Sequence, residues 1–357
     1  MLSLLHPTVP QRSAALGRQF QLAAPFRHVV IDEFLANDFC RRLIAEFPSF
    51  DHKHARNEMG NIGRKAVFQN LPELGPSYAQ LDAMLRGREF LSLTGQITGI
   101  PELCYDPDYV GGGTHENLSG QELDPHVDFN YHPTKQLHRR LNLILFLNPE
   151  WREEWGGVLE LHVNPWLPPE EDSVKGIAPI ANRCVIFETS ENSWHGFKRI
   201  QLPVDKEHLT RRSIAVYYYT KRRPAEEVAP HHSTVYVQRP LPEHIRAGYT
   251  LREEDVQAVR NLLVRRDEQI RYLYERETEF SQVLHGILRS CSTTLFRTCI
   301  DGDEPDGEEH LLPSTLPRQR ISRVLVHVDH PGHAIAGRVQ GLRPPTDQRD
   351  TVRSSRP

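Results

Sequence analysis

Apolar residues in the middle of the chain are concentrated in short runs separated by turn-forming residues. The runs are RRLNLILFLN (139–148), GGVLELHV (156–163), RCVIFET (183–189) and RRSIAVYYYT (211–220). They are rich in residues that favour strands, and Pro- and Gly-containing turns rather than helical patterns lie between them. This arrangement predicts an antiparallel sandwich or barrel and disfavours a parallel doubly wound sheet.

Helical patterns precede these strands. The stretch VVIDEFLANDFCRRLIAEFP predicts a short strand at 29–31 and then a helix, with Asn37 or Asp38 as the N-cap and Pro48 after the last turn. A second helix is predicted over 78–93. The expected fold class is therefore an all-β core with flanking helices.

A long amphipathic pattern follows the strands. From 251 to 288, apolar residues recur at helical spacing between charged residues of both signs, which predicts a long helix with one apolar stripe. That stripe either packs on the chain's own domain or joins two copies in a homodimer. From 300 to 357 the chain is rich in charged residues and proline, with 321–328 as its one short apolar run, and is predicted to be largely disordered.

These patterns divide the 357 residues into four segments. An N-terminal arm (1–25) precedes a β domain (26–240), which is followed by a C-terminal amphipathic helical segment (241–299) and a largely disordered tail (300–357). A chain of this length can bury a sizeable core in one large domain.

Composition narrows the functional class. The 43 basic and 47 acidic residues give a net charge of −4, and no basic run indicates a nucleic-acid partner. The five cysteines are scattered without a CxxC pair, which favours a reduced compartment over a disulfide framework. The chain has no apolar run near the roughly 18 residues of a membrane span, and its first residues lack a signal-peptide pattern. We therefore expect a soluble cytoplasmic protein that binds neither nucleic acid nor membrane.

The triplet His-Val-Asp occurs twice, at 126–128 and at 327–329. On an extended strand the His and the Asp of such a triplet point to the same side, so either pair could bind a metal ion. Downstream of the first pair, His195 would complete a 2-His-1-carboxylate set of the type used by non-haem iron oxygenases. The second pair has no comparable partner and lies in the predicted tail. We therefore interpret His126, Asp128 and His195 as candidate metal ligands and the second pair as accidental.

The strand 211–220 supplies a candidate carboxylate-binding residue. Arg211 and Ser213 share one face of this strand. A guanidinium beside a hydroxyl suits bidentate binding of a carboxylate, such as the far carboxylate of a 2-oxo acid. Since adjacent residues point to opposite faces, only one of Arg211 and Arg212 can point inward, and Ser213 favours Arg211.

Two glycine-rich stretches flank these residues. His115, in GGGTH, is predicted to lie in a loop, either over the mouth of the barrel or at the surface. Gly156 and Gly157 are predicted to mark a bulge or tight turn where no side chain fits.

From about Val29 to Pro240 the motifs, in this order, resemble the Fe(II)- and 2-oxoglutarate-dependent dioxygenases, specifically their prolyl-4-hydroxylase-like branch. The motifs are VIDEFL, GGGTH, HVDFN, RRLNLILFLNPEW, WGGVLEL, NRCVIFET, WHGF and RRSIAVYYYT. The resemblance implies a double-stranded β-helix, which is a jelly-roll or cupin-like barrel.

The resemblance also implies roles for single residues. By position, the iron ligands are His126, Asp128 and His195. Arg211, with Ser213 beside it, matches the residue that binds the distal carboxylate of 2-oxoglutarate. Many prolyl hydroxylases also have a Tyr that bonds this carboxylate, but this chain has Phe146 there. Asn142, on the same strand face, is the candidate replacement.

The implied activity is hydroxylation of an unactivated C–H bond in a small-molecule, prolyl or amino-acid-type substrate, with release of succinate and CO₂. Fe(II), 2-oxoglutarate and O₂ are the implied cofactors, with ascorbate as a further candidate. The same oxidant could serve desaturation or oxidative ring closure, whereas Asp128 disfavours halogenation, because halogenases of this fold lack the carboxylate. A non-catalytic barrel that binds a ligand and a zinc hydrolase are the alternatives from other classes, although Arg211 and Ser213 have no evident use in a hydrolase.

Overall fold

The structure, a computed structural model, describes residues 2–55, 65–241 and 244–300, with side chains described as far as residue 285. The described helices are α1 (Thr8–Gln11), α2 (Ser13–Leu22), α3 (Asn37–Ala45), α4 (Pro76–Leu85), α5 (Arg88–Thr98) and α6 (Glu253–Ile300). The described strands are β1 (His28–Ile31), β2 (Lys65–Phe68), β3 (Cys104–Tyr105), β4 (Gly113–Asn117), β5 (Leu123–Val127), β6 (His138–Phe146), β7 (Leu159–His162), β8 (Val174–Ile177), β9 (Cys184–Glu188), β10 (His195–Phe197), β11 (Arg211–Thr220) and β12 (Val235–Tyr236).

The described strands form two antiparallel sheets. The larger sheet has seven strands in the order β1-β9-β6-β11-β4-β2, with β3 also paired to β11, and the smaller has five in the order β12-β5-β10-β7-β8. Between β4 and β11 the chain alternates between them, with β4, β6, β9 and β11 in the larger sheet and β5, β7, β8 and β10 in the smaller. This alternation is that of a double-stranded β-helix, built here from two separate sheets. The predicted all-β core with flanking helices is confirmed.

Apolar side chains pack on both faces of the larger sheet. Between the two sheets, Phe146 and Phe187 pack with Leu161 of the smaller sheet. On the opposite face, side chains such as Leu143 and Phe90 belong to a larger core that the helices cover. The helices therefore shield the outer face of the larger sheet, and the space between the sheets is left for a site.

The N-terminal segment, predicted as an arm over 1–25, contributes helices and buried side chains to the packing of the β domain. Helix α2 contacts α5 and β1. Val9, Leu16 and Phe20 are buried in the core. Only a few apolar residues carry this packing, so the local pattern was too short to indicate it.

Two helix predictions also need correction. The helix predicted over 78–93 is in fact two helices, α4 and α5, because Gly87 between them has an extended backbone with φ −69° and ψ 141°. Helix α3 begins after Ala36 without a side-chain cap, so neither Asn37 nor Asp38 is its N-cap. Instead, the Ala36 amide donates to the Leu4 carbonyl at 2.8 Å, which anchors this turn to the N-terminal segment.

The predicted C-terminal helix is present as α6. The chain divides into two compact units, Met1–Gly286 and Ile287–Pro357. The first contains both sheets and most of α6, and the second contains the last turns of α6 up to Ile300. The residues of the predicted tail beyond Ile300, including the apolar run 321–328, lie outside the described residues.

The described residues also bear on two expectations from composition. Among them, no helix has both the length and the apolar character needed to cross a bilayer. Cys40, Cys104 and Cys184 are free thiols.

Candidate metal centre and carboxylate pocket

Three of the predicted residues converge between the sheets. His126 lies on β5, Asp128 follows the end of β5, and His195 begins β10, where it pairs directly with His126. The distance from His126 Nε2 to Asp128 Oδ1 is 3.8 Å, and that from His195 Nε2 to Asp128 Oδ2 is 3.5 Å. One ligand atom from each residue lies within 4.8 Å of the others, so a single ion could contact all three.

Backbone carbonyls hold both imidazole rings in place. Nδ1 of His126 is 2.9 Å from the carbonyl oxygen of Asp124, and Nδ1 of His195 is 2.9 Å from that of Ser193. Because a carbonyl can only accept a hydrogen bond, the proton of each ring is on Nδ1. Each Nε2 is then unprotonated, and its lone pair lies on the side of the ring near Asp128. Burial lowers the pKa of His126 to about 3 and also lowers the pKa of His195. Both rings are therefore neutral at physiological pH, as metal ligands are.

Two side chains of β6 hold one oxygen of the Asp128 carboxylate. Oδ2 accepts a hydrogen bond from Asn142 Nδ2 at 2.7 Å and lies 3.2 Å from Arg139 Nη2. Although burial works in the opposite direction, the Arg139 guanidinium and the hydrogen bond from Asn142 hold the pKa of Asp128 below its usual range. The carboxylate is therefore charged, and Oδ1 is left available for a metal.

Asn142 therefore contacts the Asp128 carboxylate directly. Its amide oxygen accepts from Arg139 Nε at 3.0 Å and from Nη2 at 2.8 Å, while its amide nitrogen donates to Asp128. These contacts were not predicted from the sequence. The predicted contact of Asn142 with 2-oxoglutarate stays a prediction.

The donor set fits a divalent transition-metal ion, since two neutral imidazoles and one carboxylate leave further coordination positions open. A second cluster, Asp106, Asp108 and His132, also has ligand atoms within 4.8 Å of one another. However, Lys135 Nζ lies 3.3 Å from Asp106 and 2.6 Å from Asp108, so both carboxylates already pair with a cation of the chain. The first cluster is therefore the candidate metal centre.

Arg211 lies between the aromatic rings of Phe146 and Phe197. Its guanidinium carbon is 5.2 Å and 4.3 Å from the two ring centres, and its Nε donates to the Gly157 carbonyl at 2.6 Å. The side chain is buried, and among the described residues no carboxylate pairs with it. Burial lowers the pKa of Arg211 to about 9, which still leaves it charged at neutral pH. An unpaired buried cation favours an anionic ligand.

Arg212 points the other way. Its Nε lies 3.2 Å from Glu116 Oε1 and donates to Thr210 Oγ1 at 2.9 Å. Its guanidinium carbon lies 5.0 Å from the centre of the Phe47 ring. Of the two neighbouring arginines, Arg211 is therefore the one directed into the space between the sheets.

The predicted tight turn at the paired glycines is confirmed. Gly156 and Gly157 have φ angles of +70° and +68°, which side chains rarely adopt. A Cβ at Gly157 would lie 3.0 Å from Arg211 Cδ, and one at Gly156 would lie 2.1 Å from the Arg199 carbonyl oxygen. The absence of side chains here lets Arg211 lie against the backbone.

Two polar residues of β4 face the same interior. His115 pairs with Ser213 and Asn117 with Arg211, and directly paired residues share a face of the sheet. His115 Nε2 and Asn117 Oδ1 are buried and lack a hydrogen-bond partner among the described residues. Since buried polar atoms are rarely left unpaired, both are available to a ligand.

These two residues correct the sequence analysis. His115 lies on a strand and not in a loop, and Asn117 was not considered. The alternation in GTHEN, five residues long, was the only available signal, and it is too short to separate a strand from a loop. The second triplet, with His327 and Asp329, lies outside the described residues.

Comparison with known proteins bears on the same region. Residues 113–219 match the 2OG-Fe(II) oxygenase superfamily. This stretch includes the three candidate metal ligands and Arg211. Prolyl 3-hydroxylase OGFOD1 from Mus musculus is 25% identical over 208 residues, which are 55% of this chain and 33% of that protein. The chain therefore spans about a third of the length of this curated relative.

Similar solved structures include two prolyl hydroxylases. One is a Trichoplax adhaerens prolyl hydroxylase in complex with a hypoxia inducible factor peptide, with a TM-score of 0.43 and 15% identity over 62% of this chain and 96% of that chain. The other is a prolyl 4-hydroxylase from Phytophthora capsici, with a TM-score of 0.43 and 19% identity over 72% of this chain and 73% of that chain. Residues 113–219 therefore match a domain of the 2OG-Fe(II) oxygenase superfamily, which uses Fe(II), 2-oxoglutarate and O₂, and the chain is similar to a prolyl hydroxylase.

Proposed function

We propose that the protein is a 2-oxoglutarate-dependent dioxygenase that hydroxylates an unactivated C–H bond, with release of succinate and CO₂. In this proposal Fe(II) is held by His126, Asp128 and His195. Arg211 binds the distal carboxylate of 2-oxoglutarate. Iron, when bound with O₂ and 2-oxoglutarate, supplies the oxidant that removes the hydrogen atom from the substrate.

The observation that carries this proposal is the position of Arg211. Its buried guanidinium has no anionic partner among the described residues, and it lies in the same interior as the three candidate metal-ligand atoms. On β6, Phe146 packs against Arg211 and Asn142 contacts Asp128, and these two residues lie four apart on one strand face. The cation and the candidate metal ligands therefore face the same space between the sheets. A small dicarboxylate could reach the metal with one end and the Arg211 guanidinium with the other.

The side chains around this pocket would act by positioning and by excluding water. Two carbonyl-bound imidazoles and a carboxylate with one oxygen already occupied give the metal a fixed set of donors. The ring of Phe187 lies 4.7 Å from that of His195, and Phe146 and Phe197 flank Arg211. A dry, aromatic surround strengthens the charge contact at Arg211 and limits side reactions of the oxidant.

The alternatives differ in what they need from these residues. Desaturation and oxidative ring closure would use the same metal ligands and the same Arg211, so only the product distinguishes them from hydroxylation. A non-catalytic ligand-binding protein would not require the metal ligands and the buried cation together. A zinc hydrolase would need the metal ligands but would leave Arg211 without a partner.

The substrate class is tested by turnover. The name of the relative makes a prolyl residue in a peptide the first candidate, and amino-acid-type and other small molecules are the second. The full chain would be supplied with Fe(II), ascorbate and 2-oxoglutarate, and succinate release would be measured with proline-containing peptides and, separately, with pooled small molecules. Succinate formation that rises with one pool, together with a product heavier by one oxygen atom, would support hydroxylation. A product lighter by two hydrogen atoms would indicate desaturation or ring closure, and hydrolysis without 2-oxoglutarate would contradict the proposal.

Replacing Arg211 with Ala is expected to raise the 2-oxoglutarate concentration needed for half-maximal turnover by roughly 10- to 150-fold. The guanidinium would make a charge-assisted contact, and such contacts contribute about 1.5–3 kcal/mol. Titration of 2-oxoglutarate in the turnover assay measures this change. Metal affinity, measured separately with Mn(II), should change far less, because Arg211 does not contact the metal ligands.

Arg212→Ala is the matched control. This neighbouring arginine pairs with Glu116 on the outer side, so its loss should leave the 2-oxoglutarate requirement within about twofold of the parent. If Arg212→Ala raised the requirement and Arg211→Ala did not, the assignment of the carboxylate site to Arg211 would be wrong.

A further inference from the structure

Helix α6 carries apolar side chains that no other part of the described chain covers. Leu263, Ile270, Leu273, Phe280 and Leu284 are all exposed large hydrophobic residues. Their positions, with Val259, follow alternating steps of three and four residues when Arg266 and Glu277 are included. This is the heptad spacing of a helix that packs along one side against another helix. These eight residues form the α6 seam: Val259, Leu263, Arg266, Ile270, Leu273, Glu277, Phe280 and Leu284.

The domain holds α6 by a neighbouring face of the helix. Leu262 is buried, and Arg265 lies 3.0 Å from Glu122 and 3.4 Å from Asp124. Gln269 accepts a hydrogen bond from Gln238. Part of the helix therefore packs on its own domain, as one sequence-based alternative expected, while Leu263, Ile270, Leu273, Phe280 and Leu284 of the α6 seam remain exposed.

The two charged residues of the seam determine how a second copy would fit. Suppose a second α6 runs antiparallel, with the partner's Leu273 opposite Ile270. Every seam residue then lies opposite a seam residue of the partner, because the order of the three- and four-residue steps is the same from either end of the helix. The resulting layers are Ile270 with the partner's Leu273, Leu263 with the partner's Phe280, Val259 with the partner's Leu284, and Arg266 with the partner's Glu277, each occurring twice.

Every layer of this register is either apolar on both sides or oppositely charged. A parallel pair in register would instead place Arg266 opposite the partner's Arg266 and Glu277 opposite the partner's Glu277, and both of these contacts are repulsive. Glu277 is exposed and has no ion-pair partner within the described part of its own chain. In Arg266, Nε donates to Gln238 at 2.7 Å, which fixes the side chain and leaves its two Nη atoms for a carboxylate.

We propose that the α6 seam is a homodimer interface in which two copies of the helix pack antiparallel, with Arg266 of each paired to the partner's Glu277. The occupant is a second copy of this chain, since the complementarity lies within one sequence. The dimer would form whether or not the proposed activity is correct.

Charge reversal tests the register. Sedimentation of the full chain over a range of concentrations would compare the parent with Arg266→Glu, Glu277→Arg and the variant that carries both. Each single reversal creates two like-charged layers and is expected to weaken dimerisation by about 10- to 30-fold. The double variant restores opposite charges in both layers and should return to within about threefold of the parent. Glu275→Arg, the same change two residues away and off the seam, should have little effect.

A second pair of variants tests the apolar layers. Leu273 on the seam and Val264 off it are both 54% exposed, so an Asp at either position is similarly tolerated by the monomer. Leu273→Asp is expected to give a monomer at concentrations where the parent is dimeric, and Val264→Asp is not. Failure of the double charge reversal to restore dimerisation would overturn the antiparallel register. A parent chain that stays monomeric at every concentration would overturn the dimer and would mean that another segment or another protein covers the seam.

Discussion

His195→Ala is expected to abolish substrate-dependent succinate formation and to lower metal affinity by at least about 100-fold. The residue would be one of only three protein ligands, and even groups that merely orient such ligands contribute about 10- to 100-fold. Its ring centre lies 4.2 Å from that of His126, so the substitution removes a donor directly beside the other imidazole. Calorimetric titration with Mn(II), a redox-stable stand-in for Fe(II), measures the affinity, and circular dichroism checks the fold.

The second His-Val-Asp triplet provides the control for this experiment. His327→Ala and Asp329→Ala remove the same residue types from the same local sequence, and neither should change metal affinity or turnover. Loss of metal binding in either variant, with normal binding in His195→Ala, would show that the metal site had been assigned to the wrong triplet.

The three candidate metal ligands could be recognised in the sequence because a site of this kind needs a characteristic combination of residues. A His and an Asp two residues apart, followed by a distant His and a strand with Arg and Ser, is a rare combination even though each part is common. The strands with many apolar residues, β6, β9 and β11, were predicted for a similar reason. Burial of their side chains on both faces of the larger sheet requires long apolar runs.

The strands that carry the ligands could not be predicted from their composition. Strands β5 and β10 are short, with the sequences LDPHV and HGF, and polar or small residues occupy the positions that a strand pattern would need. Pairing with neighbouring strands stabilises them, so the information lies in the register of the sheet. The same limit applies to His115 and Asn117, which reach the pocket because β4 pairs with β11.

Arg139 is a second site residue, besides Asn117, that the sequence analysis missed. In RRLNLILFLN it is one of two adjacent arginines at the start of a strand, where charged residues commonly mark a solvated edge. Instead its side chain is fully buried, between the rings of Phe129 at 4.4 Å and Tyr217 at 3.6 Å. Sequence spacing could not indicate this, because Phe129 and Tyr217 come from other parts of the fold.

Arg139→Met is expected to destabilise the metal-free protein by about 3–5 kcal/mol. Met fills much of the volume between the two rings, but Asp128 loses its cationic partner, and breaking a buried ion pair costs about this much. Chemical unfolding followed by circular dichroism, in the absence of metal, measures the change in the free energy of unfolding. Arg140→Met serves as the control, since Arg140 is also buried but pairs with Glu188 and Glu227 on the opposite face of β6.

Saturating Mn(II) should recover part of the loss in Arg139→Met and none of the loss in Arg140→Met. A bound dication compensates the Asp128 charge that Arg139 had compensated, and the hydrogen bond from Asn142 to Oδ2 at 2.7 Å still orients the carboxylate. By linkage, the variant should gain more stability from Mn(II) than the parent, by about 1.4 kcal/mol for each tenfold difference in affinity. If Arg139→Met lost the same stability with and without Mn(II), the contribution of Arg139 would come from packing between the two rings, and its role in balancing the charge of Asp128 would be refuted.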